Sequence, residues 1–456
     1  MAKEFFVHNR DFYKSFFGMT IVIALQNAIV FAVNLADAIM LSRYSETALS
    51  GVALLNQVQF LLQMMVFGIA EGALIFSARS WGQKNIGAIH EVINIALKFS
   101  LATGIIMSVI AIFMPEKLLG LMTSDKAIIA EGARYARIIG FSYPVFAVSQ
   151  ILMIMLRSVE TVKVSFYVST ITFVINVTLN YMLIYGNFGF PEMGCRGAAV
   201  ATLCARSAEL VLTIAYCRLI DRKVKLRQHH ILNKMNRIML KDYIRIGTPV
   251  FLAAATWGIA MGIQTGILGH MGSSAIAANS VATTVFQFIT VFIAASASAA
   301  AVITGKTIGE RRYWLIRPNT RTFQVLFIIT GICSAAVLFL LRYPIITVFS
   351  KLSPEAVDLS LQFMTVLSVT TIGTSYQMPS LVGIVRAGGE TDFVLKNDFI
   401  FMWLIVLPAS LLAAFYFHAS PLIVFICLKA DQVLKCAVAA VKLNRYTWIK
   451  RISSAK

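Results

Sequence analysis

The sequence predicts an all-α polytopic membrane protein with twelve transmembrane helices in two pseudo-symmetric six-helix bundles. Of its 456 residues, 58% are hydrophobic and only 13% are charged, with a mean hydropathy of +0.77. A soluble domain carries about 25% charged residues. Apolar stretches of about 20 residues, each long enough to cross a ~30 Å hydrocarbon core, recur along the whole chain.

The apolar stretches divide into twelve predicted spans. They cover residues 14–41, 47–78, 88–114, 127–156, 162–186, 194–219, 244–269, 274–304, 316–341, 355–385, 393–417 and 420–443. An even number of spans places both termini on one side of the membrane.

The basic residues predict which side that is. Of the 40 lysines and arginines, 29 fall in segments on the side of the termini and six on the opposite side. Because positive residues stay on the cytoplasmic side, we expect a multi-pass protein of the plasma membrane with both termini cytoplasmic. The same distribution in short loops argues against nucleic acid as the partner of a chain with a net charge of +19.

The longest basic loop lies at the middle of the chain and contains RKVKLRQHH. It predicts a division into an N-terminal lobe of residues 1–219, a cytoplasmic basic linker of 220–243 and a C-terminal lobe of 244–456 with its tail. The linker either contacts anionic membrane lipids or only fixes the topology of the two lobes.

The two halves repeat each other. LSRYSETALSG (41–51) aligns without gaps on LGHMGSSAIAA (268–278), an offset of 227, and RSVETVKVS (157–165) aligns on RAGGETDFV (386–394), an offset of 229. Because each half has an even number of spans, the repeats are parallel. Transporters built in this way place their sites near the middle of the membrane, which favours alternating access over a channel or a membrane enzyme.

Three spans of the first half each carry polar residues on one helical face, which is costly in a membrane and marks a functional cavity. The stripes comprise Gln26, Asn34 and Asp37 in the first span, Thr172, Asn176 and Asn180 in the fifth, and Ala198, Thr202, Arg206 and Glu209 in the sixth. Carboxylate, carboxamide and hydroxyl oxygens are ligands for hard cations. A carboxylate in an apolar cavity also accepts a proton more readily than one in water. The same residues could therefore couple to Na⁺ or to H⁺.

Several motifs together resemble the multidrug and toxic compound extrusion (MATE) family. They are ADAIMLSRYSETALSGVAL after the first span, RSVET and RAGGET, and NVTLNYMLIYGNFGFPEMGCRGAAVAT across the fifth and sixth spans. The resemblance covers essentially the whole chain. It implies a V-shaped, twelve-helix, monomeric antiporter that exports organic, often cationic, small molecules in exchange for a cation.

The resemblance also implies a coupling site in the N-terminal lobe. The positions that match the family's cation or proton site are Asp37, Asn176, Asn180 and Thr202. From the residues alone, Asp37 is either a boundary residue facing water or a coupling carboxylate, and the two asparagines could be contacts between helices.

Other polar positions are candidate cavity or substrate contacts. In the second span Gln63 and Glu71 share a face, although Glu71 could instead pair with a basic group at the cytoplasmic end. In the second half Gln264 corresponds to Asp37, and Asp431 corresponds to Thr202, with Lys435 one turn later as a candidate charge pair. We therefore expect ion coupling in the N-terminal half.

One feature departs from the family pattern. Many members have a proline in the first span, whereas this span has none and Val22 stands where the seventh span has Pro249. A mechanism based on bending at that proline is thus in doubt for this chain.

Two alternatives remain beside the antiporter. A lipid-linked saccharide flippase would need basic groups in its cavity, for which Arg206 is the candidate. A membrane-embedded transferase would need clustered histidines or aspartates, and the six histidines are scattered. We expect no cofactor and no metal other than a transported Na⁺, and the sequence leaves the coupling ion and the solute open.

Overall fold

The computed structural model describes residues 5–120, 122–123, 125–226, 235–348 and 353–450. Residues 227–234 of the predicted basic linker lie outside these ranges. The described helices, numbered in chain order, are α1 (Arg10–Tyr44), α2 (Glu46–Gly82), α3 (Ile86–Phe113), α4 (Pro115–Gly120), α5 (Lys126–Ile139), α6 (Ser142–Ser158), α7 (Val162–Tyr185), α8 (Cys195–Ala215), α9 (Arg237–Gly269), α10 (Ser273–Gly309), α11 (Tyr313–Val348), α12 (Pro354–Met378), α13 (Thr391–Phe399), α14 (Leu407–Leu411), α15 (Pro421–Lys429) and α16 (Asp431–Arg445).

Several helices continue as wider π-helical turns. These segments are Tyr216–Ile220 after α8, Pro379–Val385 after α12, Ile400–Val406 between α13 and α14, and Leu412–Tyr416 after α14. Pro408 at the start of α14 cannot donate a backbone hydrogen bond, which accounts for the irregular winding of the eleventh span.

The predicted polytopic α-helical fold is confirmed. Among the described residues, ten helices are individually long and apolar enough to cross a membrane, and the pair α5 and α6 would form an eleventh span. The twelfth predicted span, 420–443, comprises α15 and α16, which separate at Ala430. Each of the twelve predicted spans thus coincides with a helix or a helix pair.

The fourth predicted span differs in shape from the straight helix that hydropathy suggests. Its halves α5 and α6 meet at an angle of 52°. Pro144 explains the bend, because a proline removes the hydrogen bond to the carbonyl four residues earlier, which here belongs to Gly140 at the junction.

The chain forms two compact units. The N-terminal unit comprises Leu25–Phe251, and the C-terminal unit comprises the segment up to Ala24 together with the chain from Leu252. The division falls inside α1 and α9, whereas the lobes predicted from the sequence divide at the basic linker. The predicted lobe boundaries therefore stay a prediction.

Contacts within each unit account for this division. In the C-terminal unit, the backbone N–H of Val7 donates to Thr322 Oγ1 at 3.0 Å, and the ring centroid of Phe16 lies 5.4 Å from that of Phe323. In the N-terminal unit, the Tyr243 hydroxyl at the start of α9 donates to the Ile69 carbonyl at 2.7 Å. These contacts place the beginning of α1 in the C-terminal unit and the beginning of α9 in the N-terminal unit.

Candidate functional site

A short connection brings α7 and α8 together in the N-terminal unit. Gly186 ends α7 in the left-handed conformation, with φ at +71°, which glycine adopts without steric cost. At Gly197 a Cβ atom would lie only 2.4 Å from the Leu183 carbonyl oxygen, so the two helices approach closely because this residue has no side chain. The Tyr185 hydroxyl then fixes this pair against α1 by donating to the Met40 carbonyl at 2.7 Å.

The predicted coupling residues meet on these three helices. Asn180 Nδ2 donates to Asp37 Oδ1 at 2.5 Å and to Asn176 Oδ1 at 3.1 Å, and Asn176 Nδ2 donates to Thr202 Oγ1 at 3.4 Å. Asn176 and Asn180 are one helical turn apart and nearly fully buried. The structure therefore joins a carboxylate, two carboxamides and a hydroxyl in one connected cluster.

One oxygen of this cluster accepts no hydrogen bond from the described part of the chain. Asn180 Oδ1 is buried and has no hydrogen-bond partner among the described residues. Buried polar atoms are nearly always paired, and one that is not often lies where a ligand or an ion binds. With Asp37, Asn176 and Thr202, this oxygen is available for a hard cation.

A cavity of about 110 Å³ opens beside the cluster, within the N-terminal unit. Asp37, Asn176 and Thr202 line it, as do Asn34, Arg206 and Glu209, whereas Asn180 lies behind the wall that they form. The volume admits several waters but is well below the ~300–1,000 Å³ typical of a pocket for a drug-sized molecule. Its size therefore suits an ion with part of its hydration shell.

Two further ionisable groups set the charge of the cavity. Arg206 interacts electrostatically with Asp37, forms an ion pair with Glu209 at 3.6 Å, and places its guanidinium 4.5 Å from the centroid of the Phe146 ring. Glu209 also accepts a hydrogen bond of 2.7 Å from the Ser149 hydroxyl. With both acids ionised and Arg206 positive, the group carries one net negative charge, which a monovalent cation or a proton would balance.

Three other predicted contact residues of this unit are not among the described residues that line the cavity. Gln26 is buried and its Nε2 lies 3.6 Å from Met153 Sδ, Gln63 is exposed, and Glu71 is buried within the electrostatic reach of Arg157. The rise of a helix explains the separation, since Gln26 lies about 16 Å from Asp37 along α1. For Glu71, the electrostatic interaction with Arg157 agrees with the predicted pairing to a basic group.

The remaining predicted residues lie in the C-terminal unit. Gln264 is buried with its Nε2 at 3.2 Å from Met402 Sδ. Lys435 Nζ lies 3.2 Å from Asp431 Oδ2, as the spacing predicted, and also 2.9 Å from Asp398 Oδ1. Sequence reasoning did not single out Asp398 as part of this group, because its partner comes from another helix.

Sequence reasoning also missed two residues of the N-terminal site. Tyr135 of α5 lines the cavity, and Ser149 of α6 binds Glu209. Both lie in the fourth predicted span, where Ser142 is seven residues from each of them. This helical spacing was a signal that the sequence analysis did not use.

Comparison with known proteins identifies the family to which the chain is similar. The sequence model of the MatE family matches residues 23–182 and 249–412. The uncharacterized transporter YisQ of Bacillus subtilis (strain 168) is 23% identical over 447 residues, covering 96% of this chain and 95% of the relative. The probable multidrug resistance protein NorM of Thermotoga maritima is 24% identical over 431 residues, covering 93% and 91%.

Solved structures share the fold. The outward-facing conformation of a multidrug resistance MATE family transporter of the MOP superfamily superposes with a TM-score of 0.85 at 19% identity, covering 97% of this chain and 96% of that one. Members of the MatE family are transporters rather than enzymes, which removes the support for a membrane-embedded transferase. Since the family match spans most of both halves, this multi-pass membrane protein belongs to the MatE family of transporters.

Proposed function

We propose that this transporter is a secondary antiporter of the plasma membrane, with both termini cytoplasmic, that exports organic cationic or amphipathic compounds in exchange for Na⁺ or H⁺. The observation that carries the proposal is the position of Asp37. Its carboxylate borders a small polar cavity and is held by Asn180 at 2.5 Å. An acid in a membrane span is energetically costly, and such a residue is therefore usually functional.

Ion binding at this cluster follows from its charge and its ligands. The cavity group carries one unbalanced negative charge, and Asn180 Oδ1 is a buried acceptor to which no described residue donates. Na⁺ in the cavity would be coordinated by oxygens of its lining residues Asp37, Asn176 and Thr202, completed by water, while Asn180 positions Asp37. A proton would instead bind to the Asp37 carboxylate. Either ion removes the net charge, so the same cluster serves both possibilities.

Exchange requires that the ion change the balance between two conformations of the protein. A ligand shifts such an equilibrium only by its difference in affinity for the two states. Neutralisation of Asp37 weakens its charge-assisted bond to Asn180 and its attraction to Arg206. Because Asp37, Asn180 and Arg206 belong to three different helices, the loss alters how α1, α7 and α8 are held together.

The exported solute binds outside this small cavity in our proposal. A cavity of about 110 Å³ is too small for a typical organic compound. The names of the relatives, which include a probable multidrug resistance protein, support organic solutes as the class. A cationic dye such as ethidium is therefore the appropriate first probe.

The proposal predicts that an inward ion gradient alone drives export. Purified transporter is reconstituted into vesicles, and dye movement is followed under a sodium gradient without a pH difference and under a proton gradient without sodium. We expect one of the two gradients to accelerate export over vesicles without protein, and the effective gradient identifies the ion. If neither gradient accelerates the export of ethidium, of other dyes or of amphipathic cations, the antiporter proposal is wrong.

The saccharide flippase alternative gains little from the structure. Its anionic lipid-linked substrate would need an available basic group, whereas Arg206 already lies against Glu209 at 3.6 Å and over the ring of Phe146. The local balance of two acids and one base favours a cationic ligand at this place.

A further inference from the structure

The C-terminal unit contains a largely buried charge cluster that the proposed coupling mechanism does not use. The ammonium of Lys435 lies 2.9 Å from Asp398 Oδ1 and 3.2 Å from Asp431 Oδ2. Asp431 and Lys435 are only 2% and 5% exposed. The Asp398 side chain is 32% exposed. Burial of the other two charged groups in a membrane-spanning unit is expensive, so the cluster demands an explanation beyond packing.

The cluster occupies the positions that correspond to the N-terminal cavity. At the offset of 229 residues, Asp431 corresponds to Thr202, Lys435 to Arg206 and Asp398 to Ser169. All three N-terminal counterparts line the cavity beside Asp37. The two halves therefore place their ionisable groups at matching points of the repeat.

Further polar groups lie beside the C-terminal cluster and hold the carboxylate of Asp431. Gln432 Nε2 donates to Asp431 Oδ1 at 3.1 Å, and Gln432 Oε1 accepts from Thr374 Oγ1 at 3.0 Å and from Gln377 Nε2 at 3.1 Å. Lys429 also attracts Asp431 electrostatically. Asp398 of α13 and Asp431 of α16 thus contact the Lys435 ammonium, and α12 supports Asp431 indirectly through Gln432.

The two halves differ in what neutralises the acids. In the N-terminal unit Arg206 is drawn toward Glu209 and the Phe146 ring, and Asp37 keeps an amide partner and borders a cavity. In the C-terminal unit one ammonium bridges two carboxylates directly. An ammonium carries the same charge as Na⁺ and, like Na⁺, is bound by carboxylate oxygens.

We propose that Lys435 is a tethered cation that fills a second cation site, formed by Asp398 and Asp431, in the C-terminal unit. While Lys435 is present, this unit takes up no mobile ion. Without the ammonium, Asp398 and the buried Asp431 lose the positive charge that bridges them and bind a monovalent cation in its place. The inference rests on the proposed function only in assigning the transported ion to the N-terminal unit.

The test uses the full-length purified protein in the Asp37→Asn background, so that the N-terminal site does not contribute. Thermal unfolding is measured in sodium chloride and in choline chloride at equal ionic strength, and bound sodium is counted with radioactive ²²Na⁺. The additional change Lys435→Ala is expected to add one bound sodium ion per protein. It should also raise the unfolding midpoint in sodium relative to choline in a saturable manner, because a ligand that binds only the folded state stabilises it.

Matched variants distinguish sodium binding at the two aspartates from a general loss of stability caused by the substitution. Lys435→Arg keeps the positive charge and should behave like the parent, whereas Lys435→Ala with Asp398→Asn and Asp431→Asn should lose the added sodium. If Lys435→Ala folds only in sodium, the proposal is supported. If it does not fold in either salt, the variant Lys435→Met with Asp431→Asn keeps one carboxylate and should still bind sodium, more weakly.

The proposal is overturned if Lys435→Ala, or the Lys435→Met variant in its place, shows no sodium binding. It is also overturned if sodium binding persists after both aspartates are replaced. Since Asp37 is absent from every protein in this experiment, failure of the antiporter proposal in the vesicle assay would leave these outcomes unchanged.

Discussion

Replacement of Asp37 by asparagine is expected to abolish ion-driven export while leaving the fold intact. Asparagine has nearly the same shape, but it removes the negative charge that balances a cation and the group that takes up a proton. A hydrogen bond to a charged group contributes about 1.5–3 kcal/mol. Because each ~1.4 kcal/mol is a factor of ten, the affinity for the coupling ion should fall about tenfold to a hundredfold.

Gradient-driven dye efflux from vesicles measures this effect, with the amount of folded protein checked by size-exclusion chromatography. Asp125→Asn is the matched control, since Asp125 is an exposed acid that caps α5 and asparagine caps a helix equally well. The control should export as the unsubstituted protein does. Ion-driven export that survives Asp37→Asn but is lost in Asp431→Asn would show that the coupling carboxylate lies in the other half.

Replacement of Gly197 by alanine is expected to destabilise the N-terminal unit and to disrupt the coupling cluster. A Cβ at this position would lie 2.4 Å from the Leu183 carbonyl oxygen and 2.6 Å from its carbon. These are backbone atoms, so α7 and α8 must move apart. Overpacking of this kind costs about 1–3 kcal/mol, and separation of the helices lengthens the 3.4 Å contact between Asn176 and Thr202.

Gly262→Ala provides the control for the loss of a helical glycine. Gly262 is exposed in α9, and nothing within the described part of the chain lies within 4 Å of a Cβ built there. Alanine should be neutral or stabilise the helix by up to about 1 kcal/mol. The midpoint temperature of thermal unfolding and the rate of vesicle transport should both fall for Gly197→Ala and not for Gly262→Ala. An unchanged midpoint for Gly197→Ala would contradict the close packing of α7 and α8.

The twelve spans were predictable because hydropathy reports which segments are long and apolar. Hydropathy does not report local geometry, so the bend between α5 and α6 and the π-helical turns beside Pro408 appear only in the structure. Pro144 was a visible signal for the bend. Likewise, the basic linker marks a loop, whereas the compact units depend on which helices pack, as at Phe16 and Tyr243.

The candidate site was predictable to the extent that its residues recur at helical spacing. Asn176 and Asn180 lie one turn apart, and their stripe predicted a common face, which the structure joins to Asp37 and Thr202. Ser149 lies seven residues after Ser142 in α6, but its hydrogen bond to Glu209 of α8 could be identified only from the structure. The difference between Asp37 and Gln26 also required the structure, because a shared face does not imply a shared depth along the helix.

The most direct test of the central claim is whether solute export draws the coupling ion inward through Asp37. Vesicles are loaded with ethidium and given no initial gradient of sodium or protons, and uptake of ²²Na⁺ or acidification of the interior is followed as the dye leaves. We predict that dye export drives net uptake of one of the two ions and so builds a gradient of that ion, and that Asp37→Asn abolishes this uptake while Asp125→Asn preserves it. Export of dye with no uptake of either ion, or uptake that is unchanged in Asp37→Asn, would contradict ion exchange at Asp37.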